Sequence, residues 1–334
     1  MSAPSSPGDP IRALVDAGGL GLEVVETAGD RAPAPSSADG VVRVAVHRSG
    51  EAPGQGLEAF DILLSADLAA PAPWVGLSPS ELDAALARIG TVVERQPVAA
   101  AVAAQVHRMT LTLSFEEALV LESLAYSMLL AGEGFRVWRA GRAARPRTDD
   151  PTPRVRLTRA NGGLSIHLTR PGARNAVDAR MRDELVEALE FTLIDPDAEP
   201  VVLSAEGPNF SAGGDLDEFG QADDPGRAHA IRVLRSAARL VRQLGERMTA
   251  RLHGACVGAG IEVPAAAHRV LARPGTSFRL PEAAMGLIPG AGGTASIPRR
   301  IGRQRACYLA ISGRELDLDT ALAWGLVDAV DCGR

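Results

Sequence analysis

A proline-rich break at residues 142–153, with Pro146, Pro151 and Pro153 around Asp149-Asp150, divides this chain into two stretches of different periodicity. Proline lacks an amide hydrogen and biases its predecessor away from helix, so neither a long helix nor a central strand passes through such a segment. Each side must therefore build its own elements.

Upstream of the break, Leu82, Leu86, Ile89 and Val93 recur every three or four residues and predict a helix from about Ser80. A second apolar stretch, Val98 to Val106, follows Pro97. Ser114 and Glu117 make a capping box for a third helix, whose apolar surface runs through Phe115, Leu119, Leu121, Leu124, Met128 and Leu129 toward Phe135 and Trp138. Ahead of these, Ile11–Val25 can hold a short helix and strand, Val41–Val46 alternates as a strand, and Phe60–Leu64 is an apolar run of strand length. Proline, glycine, serine and alanine crowd residues 1–10 and 31–40, predicting a frayed terminus and a linker. Downstream, Val155–Thr158 and Leu164–Leu168 flank Asn161-Gly162-Gly163 as a hairpin, Met181–Leu193 is an amphipathic helix and Val201–Ser204 a buried strand. The chain thus reads as three parts: a partly disordered N-terminal extension with short strands (1–79), a helical region (80–145) and a strand-strand-helix-strand core (152–332).

All 35 basic residues are arginine, against 41 acidic ones, for a formal net charge of −6. Without lysine, a Schiff-base lysine mechanism is impossible, and an anionic ligand must meet arginine or backbone amides. An acidic chain with no basic block argues against nucleic acid as a partner. No stretch approaches the roughly 20 apolar residues of a membrane span, and the start, MSAPSSPGDP, lacks the pattern of a signal peptide. The expected address is the cytoplasm, with no membrane partner. Cys256, Cys307 and Cys332 lack metal-ligand spacing and suit a reducing compartment; they read as core or incidental thiols, and no metal site is expected.

The residues that can carry chemistry sit in the core. Asn209-Phe210-Ser211-Ala212-Gly213-Gly214-Asp215-Leu216 follows the strand Val201–Ser204, and its small residues let backbone amides approach a ligand. One such turn is common and makes no site. A second, Val257-Gly258-Ala259-Gly260-Ile261-Glu262, opens a predicted helix over Ala259–Ala267 and places free amides and the positive end of a helix dipole at its start. Two such starts can form an oxyanion hole, worth about 3–4 kcal/mol per donor in comparable sites. Glu262 and Glu282 add two carboxylates near these turns. Such a pair can divide its work between activating water and exchanging a proton with carbon, although either glutamate alone is more often a cap or a surface charge.

In order along the chain, Arg170-Pro171 with Asn175-Ala176, Phe210–Leu216, His253–Val263, Leu280–Thr294, and Ser312-Gly313-Arg314 with Ala323-Trp324-Gly325-Leu326-Val327 resemble the crotonase (enoyl-CoA hydratase/isomerase) superfamily over about residues 152–332. The resemblance implies an α/β fold, a ClpP/crotonase-like spiral of ββα units, here with a helical N-terminal region packing on the core. It implies that Gly214 and Ala259 donate two amides to a thioester oxygen, and that Glu262 and Glu282 occupy both catalytic positions of the members that hydrate enoyl-CoA. It places coenzyme A near Arg174, Ala176, Ala212 and Gly213, as part of the substrate, with no separate cofactor. An acyl-CoA substrate and a homo-oligomer, a trimer or dimer of trimers, follow from the same likeness. The leading activity is enoyl-CoA hydration. Isomerisation, thioester hydrolysis, dehalogenation and cofactor-independent dioxygenation on the same fold are alternatives, as is a noncatalytic assembly partner.

The sequence departs from the family at several points. Ala259 stands where glycine is common, Pro264 falls within the predicted helix, and His268 stands where aspartate is frequent. Ala84–Ile89, Gln96–Ala100, Ser114–Leu119 with Glu122, and Glu133-Gly134-Phe135 resemble, in order, the helices that normally end a crotonase. The resemblance implies that this covering region lies on the N-terminal side, over its own core or a neighbour's; an unrelated helical appendage is the alternative.

Overall fold

The computed structural model describes residues 10–27, 38–49, 52–143, 151–160, 162–195, 197, 199–221 and 224–333. The expected frayed terminus, linker, proline-rich break and hairpin Asn161 fall mostly or wholly outside them.

After α1 (Pro10–Asp16), strands β1 (Leu20–Glu26), β2 (Gly40–His47), β3 (Ile62–Ser65) and β4 (Val75–Gly76) form a parallel sheet in the order β1-β2-β3-β4. The short strands expected in an extension therefore make a sheet with a buried interior. Val42, Val44, Ala45 and Val46 are all buried, as a parallel strand covered on both faces requires. Asp61, at the entry to β3, is buried against Arg108, whose guanidinium lies 2.6 Å from it and also donates to the carbonyls of Asp39 and Val41. A buried ion pair is tolerable when its remaining donors are satisfied in this way.

Four helices follow: α2 (Pro79–Arg95), α3 (Pro97–Thr110), α4 (Phe115–Leu130) and α5 (Glu133–Ala140). Helix α2 starts one residue before Ser80 because Ser78 and Glu81 form a capping box with Pro79 inside it, and the expected box of Ser114 and Glu117 opens α4.

The second half begins with the antiparallel hairpin β5 (Val155–Ala160) and β6 (Gly163–Leu168), then α6 (Ala179–Ile194), β7 (Val201–Ala205), α7 (Pro225–Leu234), α8 (Ala237–Gln243), β8 (Met248–Leu252), β9 (Ala255–Val257), α9 (Ala259–Glu262), β10 (Arg269–Ala272), β11 (Ser277–Arg279), α10 (Gly293–Ile301), α11 (Arg303–Ser312), α12 (Leu318–Trp324) and β12 (Ala329–Val330). The large sheet has the order β12-β10-β8-β7-β6-β5, while β9 and β11 pair in a sheet of their own. Strands β8 and β10 lie in the large sheet, their successors β9 and β11 in the two-stranded one, and a helix follows each pair. The chain therefore winds as ββα turns, in an α/β fold.

One expected element is shorter than its sequence suggested. The helix over Ala259–Ala267 ends at Glu262 and gives way to a 3-10 turn at Pro264–Ala266. Pro264 has no amide hydrogen to continue the ladder, and its ring crowds the preceding turn.

The two halves share one apolar core that runs from Val42 to Val327. Helices α2–α5 pack on the core of their own chain. Thr110 Oγ1 donates to the Thr294 carbonyl at 2.6 Å, and the Arg305 guanidinium donates to the Trp74 carbonyl and lies over Trp324. Among the described residues no single helix is long and apolar enough to cross a membrane.

Candidate active site

The two glycine turns are pinned side by side. Ser211 donates its amide to Ala255 O at 3.2 Å and accepts the amide of Val257 at 3.0 Å, so the first turn runs parallel to β9. Gly213 has φ +85°, and a Cβ there would lie 2.7 Å from the Val257 carbonyl oxygen; a Cβ on Gly260 would lie 2.6 Å from that of Ser211. Only glycine permits this approach. At the mouth of the contact are the amides of Gly214 and Ala259. Among the described residues neither donates to an acceptor of the chain, and Ala259 opens α9, where a helix has no internal partner for its first amides.

Both glutamates reach this point. Glu262, the last residue of α9, is 2% exposed, and Glu282, in the turn after β11, is 6% exposed. A Cβ on Gly258 would meet Glu282 Oε1 at 2.5 Å and Glu262 Oε1 at 3.7 Å, so the two carboxylates flank the turn that carries Ala259. Their surroundings differ. Glu262 Oε2 accepts the amides of Ala291 at 2.7 Å and Gly293 at 3.0 Å, whereas Glu282 Oε2 is buried with no hydrogen-bond partner. Burial pushes Glu282 up to about 8, with Glu122 adding to the effect. Burial also raises Glu262, helped by the charges of Glu282 and Glu122, while its two amide donors pull the other way.

Gly214, Ala259, Glu262 and Glu282 all line one cavity of about 330 Å³. Its walls are mostly apolar, with Leu119 and Leu130 contributed by α4 and Leu185 by α6. The four residues expected to hold coenzyme A lie alongside and do not line this cavity. Arg174 (φ 53°) and Asn175 (φ 51°) form a left-handed corner, the Ala212 amide donates to the Arg174 carbonyl at 2.9 Å, and Ala176 and Gly213 bracket the adjoining bridge. Asn175 is fully buried and braces this corner, its side-chain amide donating to the carbonyls of Glu206 and Asn209. Among the described residues no group of histidine, cysteine, aspartate and glutamate is arranged to hold a metal ion.

This geometry agrees with what the chain is similar to. The enoyl-CoA hydratase/isomerase family model matches residues 158–333. The chain belongs to that family. It is 32% identical to the enoyl-CoA isomerase/hydratase fer4 of Mycosarcoma maydis over 193 residues, 55% of this chain and 69% of the relative. It is also 32% identical to the 2,3-dehydroadipyl-CoA hydratase of Escherichia coli K12 over 174 residues, 52% of this chain and 68% of the relative. Among solved structures, the enoyl-CoA hydratase from Thermoplasma volcanium superposes with a TM-score of 0.50 at 32% identity, covering 54% of this chain and 72% of that one. The enoyl-CoA hydratase from Bacillus anthracis does so with a TM-score of 0.50 at 30% identity, covering 53% and 70%.

The N-terminal half contributes cavity residues to which sequence reasoning gave no site role. Glu122 and Tyr126 of α4 both line the cavity of this crotonase, and Tyr126 fills the space that a side chain on Gly290 would need. Arg232 of α7 lies 4.4 Å over the Tyr126 ring and donates to Ser127 Oγ at 2.8 Å. A usable signal was present: Glu122 stands three residues after Leu119 and four before Tyr126, a lone carboxylate on the buried face of an apolar helix. Such a residue is expensive to bury unless donors meet it.

Proposed function

We propose that this chain hydrates the 2,3 double bond of an enoyl-CoA thioester. The observation that carries the reading is the convergence of Glu262 and Glu282 on Gly258, next to two amides without partners among the described residues. In this mechanism the amides of Gly214 and Ala259 donate to the thioester oxygen and stabilise the enolate that forms when water adds to C3. Glu262 takes a proton from that water, and Glu282 delivers one to C2; the enolate collapses to the 3-hydroxyacyl thioester. The division follows the surroundings of the two acids. Two amide donors tie Glu262 Oε2 and leave its Oε1 toward Gly258, while Glu282 Oε2 is buried without a donor among the described residues; burial raises both acids. Like charges in one apolar cavity disfavour simultaneous ionisation, so the pair is suited to carry one proton between them. Coenzyme A enters as part of the substrate, and arginine side chains supply any ionic contact to its phosphates. The family likeness supports a trimer or a dimer of trimers, which sedimentation would read.

The test is hydration of crotonyl-CoA, followed by loss of the conjugated thioester absorbance. Glu262→Gln and Glu282→Gln should each lower kcat by about 10²–10⁴-fold. Wild-type-like kcat in either folded variant would remove the two-carboxylate mechanism, and isomerisation of a 3-enoyl-CoA without hydration would replace the activity.

A further inference from the structure

The segment that enters α10 presents four consecutive amides, and they are shared between two buried carboxylates from the two halves of the sequence. Ala291 and Gly293 donate to Glu262 Oε2 at 2.7 and 3.0 Å. Gly292 donates to Glu122 Oε1 at 2.7 Å, and Thr294 donates to Glu122 Oε2 through both its amide, at 2.8 Å, and its hydroxyl, at 2.7 Å. Odd and even residues thus face different acids. The segment has no slack on either side: a Cβ on Gly292 would lie 2.4 Å from Ala238 Cβ, and one on Gly293 would lie 2.6 Å from Glu262 Cγ. The Thr294 carbonyl is held at 2.6 Å by Thr110 of α3. A shift of Glu122 therefore moves the same peptides that fix Glu262.

We propose that Glu122 is a positioning residue of the active site, clamping Ala291–Thr294 so that Glu262 is held with Oε2 tied and Oε1 directed toward Gly258. The inference deepens the hydratase reading, which supplies the assay. It assigns α4, outside the stretch matched by the family model, a hold on the reacting carboxylate through the peptides of Ala291–Thr294. Glu122 also acts through its charge. The titratable and charged groups that face it are Tyr126 of its own helix, Arg232 of α7, Glu262 of α9 and Glu282 of the turn after β11. Burial raises Glu122 to about 7, and its ionised form raises Glu262 and Glu282.

The experiment compares full-length wild type with Glu122→Gln and Glu122→Asp. In Glu122→Gln, which keeps the size of the side chain but turns an N–H group toward N–H donors, kcat should fall about 10²-fold while KM changes little, as expected for a misplaced catalytic group. Removing the charge should also move both limbs of the pH–rate profile to lower pH, because the remaining carboxylates lose a like-charged neighbour. Glu122→Asp should restore the limbs and part of kcat. Infrared titration of the buried carboxyl groups should show the same downward shift without turnover. That readout separates the two claims: an inactive wild type that still shows the shift loses the hydratase reading and keeps the clamp. A folded Glu122→Gln with wild-type kcat and pH limbs overturns the clamp, and so does failure of both Glu122 variants to fold, which would make the residue a requirement of the core alone.

Discussion

The core residues 158–333 and the helices Pro79–Ala140 build one cavity by different means. The core contributes the two carboxylates and, around them, backbone: two turns in contact, two amides without partners among the described residues, and α9 and α10 opening at the cavity. The N-terminal helices contribute side chains: Glu122, Tyr126, Leu119 and Leu130, all from α4. Backbone-to-backbone approach demands glycine at fixed places and so leaves a dense mark on the sequence. A side chain delivered by a helix needs one position among many, and its neighbours look like ordinary core.

The largest effect that could break this comparison comes from removing the second contributor. Deleting residues 1–143 would expose the faces of α10 and α11 that α3, α4 and the first sheet bury, including Thr294, Gln304 and Arg305, which bond Thr110, Leu57 and Trp74. It would also leave Gly292 and Thr294 without the carboxylate they donate to. The shortened chain should lose its cooperative thermal transition and its turnover. A shortened chain that melts cooperatively and keeps wild-type kcat would show that the N-terminal half is only an accessory cover.

A second effect is read by pH. Glu282 and Glu122 are raised to about 8 and about 7, from 4.5 in an unperturbed chain, so the folded protein binds their protons more tightly than the unfolded one. Their contribution to stability is complete below the unfolded value and is lost as pH rises through 7 to 8. Tm should therefore fall between about pH 5 and about pH 9, and Glu282→Gln should flatten the slope. Calorimetry across that range checks the sign, and a Tm that rises through it would place the charges elsewhere. Comparing Glu282→Gln with Glu122→Gln shows how much of the slope each half of the molecule supplies.

Much of the core was legible because its chemistry depends on spacing. Gly213-Gly214, Gly258-Ala259 and Glu262 could be read in order, and the structure brings them together with Glu282 around Gly258. The capping box at Ser114 likewise marked α4 to the residue, because the cap is a local contact. What could not be read was set by tertiary packing. Pro264 cut the helix after Glu262 because a missing amide outweighs local helix propensity. The short strands of residues 20–76 gave no sign that they pair into one parallel sheet, since parallel partners are specified by burial and not by a connecting turn. Glu122 could be seen as a carboxylate on the apolar face of a helix, but its partners could not, because Gly292 and Thr294 lie 170 and 172 residues away.

The smallest effect sharpens the comparison with one hydroxyl on each side. Ser127 of α4 accepts from Arg232 at 2.8 Å, and Ser296 of α10 donates to the Glu262 carbonyl at 2.8 Å. Each alanine variant should destabilise the fold by about 1 kcal/mol, the usual net value of a buried hydrogen bond. Their kinetics should differ. Ser296→Ala loosens the end of α9, so kcat should drop severalfold. Ser127→Ala leaves Arg232 its second serine, Ser123, and its place over Tyr126, so kcat should stay within about twofold, the effect of an interaction outside the reacting geometry. Denaturant melts and steady-state kinetics on the two variants check both halves of the claim. Equal losses of kcat would mean that α4 and α10 act as one rigid wall, and the distinction between a backbone-built half and a side-chain-built half would no longer describe the site.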